Sequence, residues 1–229
     1  MNAVRCPSPQ CGRIWHVQPD RLGRSMRCPA CDVRMTARPL GVDRQLRRQE
    51  ERLRGGAGAA VDRLPLVAVI DNVRSLWNVG SMFRTADACG VVRMYLAGIT
   101  GTPPRAEIAK TALGAERAVA WEYRAEAADA VRDARDAGFV PVALETGPGA
   151  SCLTTFRWPR KVCIVVGNEV AGLAPAVAEL CDARVQIPMR GVKESLNVAV
   201  AFGIATFAAS RGLEALAAGI AARATGSGC

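Results

Sequence analysis

Four of the nine cysteines have the residue type and spacing of metal ligands. Cys6 and Cys11 form a C-x4-C pair, and Cys28 and Cys31 form a C-x2-C pair sixteen residues further on. Each pair lies in a turn with Pro or Gly that can direct both thiolates at one ion, so we predict a structural Zn²⁺ site. The alternatives are a redox-active pair or unligated thiols. His16, the only histidine, could replace one cysteine, although a lone histidine is more often a surface residue.

The segment around these cysteines resembles a zinc ribbon of the CPxCG…CPxC type, with two additional residues between the first two cysteines. It is also basic. Residues 1–54 contain twelve arginines against five acidic residues, which is a net charge of +7 out of the +9 of the whole chain. Because four thiolates around Zn²⁺ add about two negative charges, the segment would stay basic with the metal bound. This excess favours a polyanionic partner whose phosphates it neutralises; the alternative is a solvated charged surface.

A second group of polar residues follows the apolar run LVAVID. The group consists of Asn72, Arg74, Asn78, Gly80 and Arg84. We predict a helix here, with Asn78 as its N-cap and Gly90 as its stop. On a helix that starts at Val79, Arg84 lies about one and a half turns in, where its side chain can reach back toward the strand ends. The alternative is an ordinary surface arginine.

Two more polar loops follow apolar runs near the C-terminus. In GNEVAGLAP, Asn168 and Glu169 lie between Gly167 and Gly172, a weak nucleotide-binding signal that ordinary turn chemistry explains nearly as well. In RGVKESLN, Ser195 is predicted to cap the last helix, which places Asn197 in its first turn.

The elements that position these loops alternate between apolar runs and helical patterns. Six runs are predicted as strands, namely LVAVID, VRMYLAG, AVAWEY, FVPVALET, VCIVVG and RVQIPM. EAADAVRDARDAG is an amphipathic helix closed by Gly138, and LNVAVAFGIATFAAS is apolar nearly all round, so we expect it to be buried, in part against a partner subunit. The alternation indicates an α/β domain with a parallel sheet covered on both faces. Ligands of such sheets bind beyond the carboxyl ends of the strands, where the three loops lie.

Composition divides the chain into four parts. We predict the zinc-ribbon-like segment at 1–38, a charged helix and flexible linker at 39–63 with a boundary near 55–60, the main domain at 64–215, and a disordered tail at 216–229. No run reaches the roughly 18 apolar residues of a membrane span, and the N-terminus lacks the apolar core of a signal peptide. An odd number of cysteines argues against a disulfide framework. We therefore expect a soluble, cytoplasmic protein without a membrane partner.

Three motifs together resemble those of the SpoU, or TrmH, family of RNA methyltransferases, and they occur in the family's order. They are NVRSLWNVGSMFRTADACG, VVGNEVAGL and IPMRGVKESLNVAVA, and KTALGAE also resembles a segment of that family. The resemblance covers residues 66–211. It implies an α/β fold of the SPOUT type, with a parallel sheet and a C-terminal trefoil knot around S-adenosylmethionine. Periodicity does not predict a knot, because threaded chains are rare. The resemblance also implies a homodimer with sites near the subunit interface.

The reaction that the resemblance implies is transfer of the methyl group of S-adenosylmethionine to a ribose 2′-oxygen of tRNA or rRNA. By the same resemblance, five residues would enclose the cofactor: Leu144, Gly167, Ile187, Met189 and Leu196. Arg84 would lie at the reacting ribose, within a polar frame of Asn78, Glu169, Ser195 and Asn197.

The role of Arg84 is limited by its chemistry. A guanidinium is protonated at ordinary pH and has no acceptor, so we expect Arg84 to clamp a phosphate or stabilise the developing alkoxide. Removal of the hydroxyl proton stays unassigned. One competing interpretation is a non-catalytic RNA-binding protein that keeps the fold, and another is a Rossmann oxidoreductase, whose glycine fingerprint the chain lacks.

Overall fold

The computed structural model describes residues 2–37 and 62–225, with side chains as far as residue 219. The chain divides into two units, Met1–Ala59 and Ala60–Cys229. The division falls in the stretch 55–60, where the sequence predicts a linker. Most of the charged helix and linker predicted at 39–63 lies outside the described residues.

The described part of the N-terminal unit, residues 2–37, forms two antiparallel hairpins. Strand β1 (Asn2–Arg5) pairs with β2 (Ile14–Val17), and β3 (Ser25–Arg27) pairs with β4 (Arg34–Thr36). A 3-10 turn at Pro19–Arg21 lies between the hairpins, and each hairpin loop carries one cysteine pair. The core is small and contains Val4, Val17, Met35 and Ala37. The described residues 2–37 are fewer than the roughly 40 below which a folded unit usually needs a metal, disulfides or a partner for stability.

The second unit is built on one seven-stranded sheet in which every pair is parallel. In chain order the strands are β5 (Leu66–Asp71), β6 (Arg93–Ala97), β7 (Ala120–Arg124), β8 (Val140–Leu144), β9 (Ser151–Cys152), β10 (Val162–Val166) and β11 (Ala183–Gln186). Their order across the sheet is β7-β6-β5-β10-β8-β11-β9. The six predicted strands are confirmed. The seventh, β9, has two residues, too few for a periodicity to be detected.

Helices cover both faces of the sheet, as predicted. They are α1 (Leu76–Ala88), α2 (Ala106–Ala112), α3 (Ala115–Ala118), α4 (Ala127–Asp136), α5 (Pro175–Ala178) and α6 (Val198–Thr225). On one face, Phe83 of α1 and Phe202 of α6 are fully buried in the larger core. On the other face, Val131 of α4 and Val177 of α5 pack in a second core. Burial of each of these large side chains contributes about 1.5–3 kcal/mol.

Two predicted N-caps are wrong, because another residue with a capping side chain lies nearby. Helix α1 begins at Leu76, and the Oγ of Ser75 accepts a hydrogen bond from the Asn78 backbone N–H at 3.3 Å. Asn78 is therefore inside the first turn. Helix α6 is capped by Asn197, whose Oδ1 accepts from the Ala199 N–H at 2.9 Å, so Ser195 lies in the preceding loop. In both cases the hydrogen bond to the first turn decides the cap.

Helix α6 is buried on one face only. Phe202, Ala205 and Ala209 lie in the core, whereas Val200 and Phe207 are 51% and 60% exposed. The prediction that this helix is buried is therefore confirmed only for the face that carries Phe202, Ala205 and Ala209. The helix continues to Thr225, past the point at 215 where we expect a disordered tail to begin.

Among the described residues, one stretch of α6, Val198–Gly219, has the length and hydropathy of a membrane span. Its window is 39% buried, and core helices of soluble proteins pass the same test, so this is weak support for a span.

Candidate active site

The direction in which strands are added to the sheet reverses between β5 and β10. The chain builds outward from β5 through β6 to β7, and then places β10 and β8 on the other side of β5. Helix α1, which follows β5, packs on one face of the sheet, while α5, which follows β10, packs on the other. The two connections leave in opposite directions, which is the arrangement at which parallel sheets bind ligands.

A cleft of about 280 Å³ opens at the carboxyl ends of β8, β10 and β11. Its volume lies near the lower end of the roughly 300–1,000 Å³ of small-molecule sites. All five residues predicted to enclose the cofactor line it: Leu144, Gly167, Ile187, Met189 and Leu196. The predicted residues Glu169 and Ser195 line it too. The cleft thus combines an apolar wall with a few polar groups.

The loop after β10 requires its two glycines. A Cβ on Gly167 would lie 2.4 Å from the Gly172 carbonyl carbon and 2.5 Å from the Leu173 nitrogen, both backbone atoms. Asn168 and Gly172 exchange two backbone hydrogen bonds, each 3.0 Å long. Gly172 has a φ of +68°, which favours glycine. The tight turn holds the backbone of this loop at the wall of the cleft.

Glu169 joins this loop to the start of α1. Its Oε1 accepts hydrogen bonds from the Ser75 backbone N–H at 3.3 Å and from the Asn78 Nδ2 at 3.1 Å. Its Oε2 accepts from the Arg74 backbone N–H at 3.2 Å. Negative charge is favoured at this position, because the free N–H groups at a helix N-terminus point at it.

Asn197 extends this chain of hydrogen bonds to the third loop. Its Nδ2 donates to the Oδ1 of Asn78 at 3.2 Å, while its own Oδ1 caps α6. The structure therefore brings together three of the predicted polar residues, Asn78, Glu169 and Asn197, from loops that are far apart in sequence. Ser195 lies in the same loop as Asn197, at the cleft.

The hydrogen bonds of Glu169 lower the pKa of its carboxyl group. Burial acts in the opposite direction and raises the pKa, but hydrogen bonds from the backbone N–H groups of Glu169, Arg74 and Ser75 and from the Asn78 side chain outweigh it. Glu169 is therefore ionised near neutral pH. An ionised carboxylate with both oxygens engaged is a weak proton acceptor, which suits it to a positioning role.

Two polar residues of the site are absent from the set of site residues predicted from the sequence. Glu145 follows β8, lines the cleft, and accepts a hydrogen bond from the Leu173 N–H at 2.9 Å. The Nδ2 of Asn168 donates to the Asn72 carbonyl at 2.8 Å, which ties the loops after β5 and β10 together. The signal for Glu145 was present, since it is the first polar residue after the apolar part of the predicted strand FVPVALET.

Arg84 does not line this cleft. It lies on the exposed side of α1, eight residues after Leu76 and so about 12 Å along the helix axis. We predicted one and a half turns between the start of the helix and Arg84. The distance is longer in the structure because α1 begins at Leu76 and not at Val79. Arg84 borders a second, more open cleft of about 500 Å³ together with Lys110 and Thr111. The structure thus places Arg84 apart from the other predicted catalytic residues.

In the N-terminal unit, the four cysteines predicted as metal ligands converge. The sulfur atoms of Cys6, Cys11, Cys28 and Cys31 all lie within 4.8 Å of one another. The Cys6–Cys31 and Cys11–Cys28 sulfur distances are 3.5 and 3.8 Å. Four thiolates at about 2.3 Å from a tetrahedral Zn²⁺ would be about 3.8 Å apart. The cluster therefore fits such an ion. The two additional residues between Cys6 and Cys11 do not prevent the four sulfur atoms from converging.

The sequence profile described as the SpoU rRNA Methylase family matches residues 65–207. A tRNA (guanosine(18)-2′-O)-methyltransferase of Aquifex aeolicus is 30% identical over 146 residues, which cover 64% of this chain and 69% of that protein. The 23S rRNA (guanosine-2′-O-)-methyltransferase RlmB of Vibrio parahaemolyticus is 34% identical over 149 residues, covering 64% of this chain. The match spans 59% of that relative's length.

Solved structures show the same similarity. An AdoMet-bound rRNA methyltransferase from Sinorhizobium meliloti superposes with a TM-score of 0.60 at 34% identity, covering 65% of this chain and 56% of that one. The TrmH/SpoU tRNA modifying enzyme of A. aeolicus gives a TM-score of 0.63 at 28% identity, covering 78% and 87%. Both matches agree with the parallel α/β sheet described above, whereas the predicted trefoil knot stays a prediction.

Proposed function

Because the chain belongs to the SpoU rRNA Methylase family, we propose that it transfers the methyl group of S-adenosylmethionine to a ribose 2′-hydroxyl of tRNA or rRNA. The observation that carries the proposal is the cleft at β8, β10 and β11, which gathers all five residues expected to enclose the cofactor. Relatives named as tRNA and rRNA 2′-O-methyltransferases, and an AdoMet-bound relative, support it.

The residues of the cleft fit S-adenosylmethionine. The side chains of Leu144, Ile187, Met189 and Leu196 offer an apolar wall for a flat base, and Gly167 lets the backbone of the 168–173 turn pack closely at the wall of the cleft. The carboxylates of Glu145 and Glu169 suit a ligand with positive charges. When bound, S-adenosylmethionine supplies the activated methyl group.

The polar frame then has a positioning role. Glu169, Asn78 and Asn197 link the loops after β5, β10 and β11, and so hold the cleft in one geometry. Ser195 lies at the same wall and would hydrogen-bond to ligand groups. Geometric control of this kind is the main contribution that a protein makes to group transfer from an activated donor.

Arg84 would act on the RNA rather than on the donor. Its exposed position in the second cleft, next to Lys110, suits contact with a phosphate or with the alkoxide that develops on the ribose. It is not suited to proton removal, since a guanidinium has no acceptor. Removal of the hydroxyl proton stays unassigned to a residue.

We propose that the N-terminal unit binds one structural Zn²⁺ and contributes to RNA binding. Cys6, Cys11, Cys28 and Cys31 would be its ligands, and the net charge of +7 over residues 1–54 favours a polyanion. In the full chain, replacing exposed Arg21, Arg24 and Arg34 by Gln should reduce the slope of log K against log salt by about 0.7–0.9 for each phosphate that is no longer neutralised. An unchanged slope would assign the unit another role.

We also propose that the protein is a cytoplasmic homodimer. The exposed apolar residues Val200, Ile204 and Phe207 on α6 form a surface that a second copy would cover. A mass in solution of twice the chain mass, which Phe207→Asp reduces to the mass of one chain, would support the homodimer. A monomeric wild-type protein contradicts it.

The direct test of the function uses the purified full chain. We expect S-adenosylmethionine binding by calorimetry, transfer of its labelled methyl group to unmodified tRNA or rRNA transcripts, and recovery of the label as a 2′-O-methyl nucleotide. RNA binding without transfer would support the non-catalytic alternative. Failure to bind S-adenosylmethionine would refute the proposed use of the cleft.

A further inference from the structure

A large aromatic side chain is exposed beside the candidate active site. Trp77 lies in the first turn of α1 and is 50% exposed. The Nζ of Lys110, on α2, lies 5.6 Å from the centroid of its ring, which is a cation–π distance. Because half of this side chain is exposed, a second flat group can reach the ring.

The surroundings of Trp77 are rigid. Its carbonyl accepts a hydrogen bond from the Oγ1 of Thr111 at 3.1 Å. Helices α1 and α2 pack closely here, since a Cβ on Gly80 would lie 2.0 Å from that same Thr111 oxygen. The backbone that carries the ring is thus fixed, and binding a ligand against it would cost little ordering entropy.

The position of Trp77 connects the two clefts. The next residue, Asn78, donates a hydrogen bond to Glu169 in the first cleft. Trp77, Ser81 and Arg84 are spaced by four and three residues, so they share one side of α1, and the second cleft is lined by Ser81 and Arg84 with Lys110. Trp77 is therefore next in sequence to a residue of the polar frame and on the same side of α1 as two residues of the second cleft.

This combination matches the chemistry of single-stranded RNA. Proteins hold unpaired nucleotides by stacking their bases on aromatic rings and by neutralising the adjoining phosphates with Lys and Arg. A 2′-hydroxyl presented to an enclosed methyl donor must come from a nucleotide whose base is accommodated nearby, and the exposed Trp77 ring is a flat surface next in sequence to Asn78 of the polar frame.

We propose that Trp77 stacks on the base of the nucleotide that is methylated, while Lys110 holds an adjoining phosphate. The inference rests on the proposed function and adds a residue that selects for an unstacked, accessible base. Because stacking accepts every base, Trp77 would contribute affinity without strong base specificity.

The test compares Trp77→Ala and Trp77→Phe with the control Trp121→Ala in the full chain. Trp121 is also exposed, by 36%, but lies on the edge strand β7. With an unmodified tRNA transcript pool, Trp77→Ala should lower kcat/KM by about 5- to 150-fold, mainly through KM, whereas Trp77→Phe should lose little. S-adenosylmethionine affinity should stay within about twofold for all three variants, and Trp121→Ala should match the wild type.

Several results would overturn the inference. An equal loss of kcat/KM in Trp77→Ala and Trp121→Ala would indicate an effect of lost aromatic surface in general. A change in oligomeric mass in Trp77→Ala would show that the ring contacts a second copy of the chain. Unchanged kcat/KM in Trp77→Ala, with an active wild type, would refute the stacking while leaving the proposed function intact. If the wild type transfers no methyl group, RNA affinity measured by anisotropy decides, since Trp77→Ala must still weaken it.

Discussion

Replacement of Gly167 by Ala is expected to displace the turn that forms one wall of the candidate cofactor cleft. The new methyl carbon would lie 2.4 Å from both the carbonyl carbon and oxygen of Gly172 and 2.5 Å from the Leu173 nitrogen. Ordinary contacts between carbon atoms are about 3.5–4.0 Å, so the backbone of the 168–173 turn would have to move by about 1 Å. No flexible side chain is available to absorb this shift, because all three atoms belong to the main chain.

The displaced turn carries several hydrogen bonds. Asn168 and Gly172 share two backbone bonds of 3.0 Å, and the Leu173 N–H donates to Glu145 at 2.9 Å. Overpacking costs about 1–3 kcal/mol, and each weakened hydrogen bond about 0.5–1.5 kcal/mol. With all three hydrogen bonds weakened, we expect a loss of about 2.5–7.5 kcal/mol in the free energy of unfolding. For a domain of this size each kcal/mol lowers Tm by roughly 2–4 °C.

The assay combines thermal unfolding with calorimetric titration of S-adenosylmethionine. Gly191→Ala is the matched control, since a Cβ at Gly191 meets no atom within 4 Å although the residue lies in the loop between Met189 and Ser195 that borders the cleft. Its stability should stay within about 0.5 kcal/mol of the wild type. S-adenosylmethionine binding should fall at least tenfold in Gly167→Ala alone. If Gly167→Ala keeps the Tm and the S-adenosylmethionine affinity of the wild type, the argument that a Cβ at this position displaces the turn is refuted.

Three further predictions concern single groups. Arg84→Ala should lower kcat by about 10²–10³-fold while S-adenosylmethionine still binds, and near-normal methylation would refute its role at the ribose. Because the folded-state pKa of Glu169 is lowered, its contribution to stability should be fully present above the ordinary carboxyl pKa of about 4.5 and be lost as the pH falls through the lower folded value. The Tm difference between wild type and Glu169→Gln should therefore be constant from pH 5.5 to 7 and shrink in more acidic buffer; a constant difference throughout would contradict it. Metal analysis should find about one zinc per chain in the wild type and less in Cys31→Ser, whose N-terminal unit should lose protection from proteolysis; a fully protected, zinc-free wild type would exclude a structural zinc.

The sequence was informative where the physical signal is local. Apolar runs predicted six of the seven strands of the sheet, most clearly β5 and β10, because strands buried on both faces exclude polar residues. The cysteine spacing predicted a cluster that the structure brings within 4.8 Å. The three motifs predicted the methyltransferase family, which the profile over residues 65–207 confirms.

The sequence was less informative where neighbouring residues compete for one role. Ser75 and Asn78, like Asn197 and Ser195, are all able to cap a helix, and only the folded backbone shows which side chain accepts the first-turn hydrogen bond. The early start of α1 also moved Arg84 further from the strand ends than predicted. Helix α6, although apolar nearly all round, has a core-facing side and an exposed side that composition alone does not distinguish.

The chain by itself therefore indicated the types of its elements, the residues proposed to carry chemistry and the family to which it belongs. The tertiary structure decided which of those residues meet. Only the strand order, which depends on pairing between distant segments, places the loop after β10 between those after β5 and β8, and so brings Asn78, Glu169 and Asn197 into one chain of hydrogen bonds. The course of α1 places Arg84 at the second cleft and not at the cleft that it is proposed to serve.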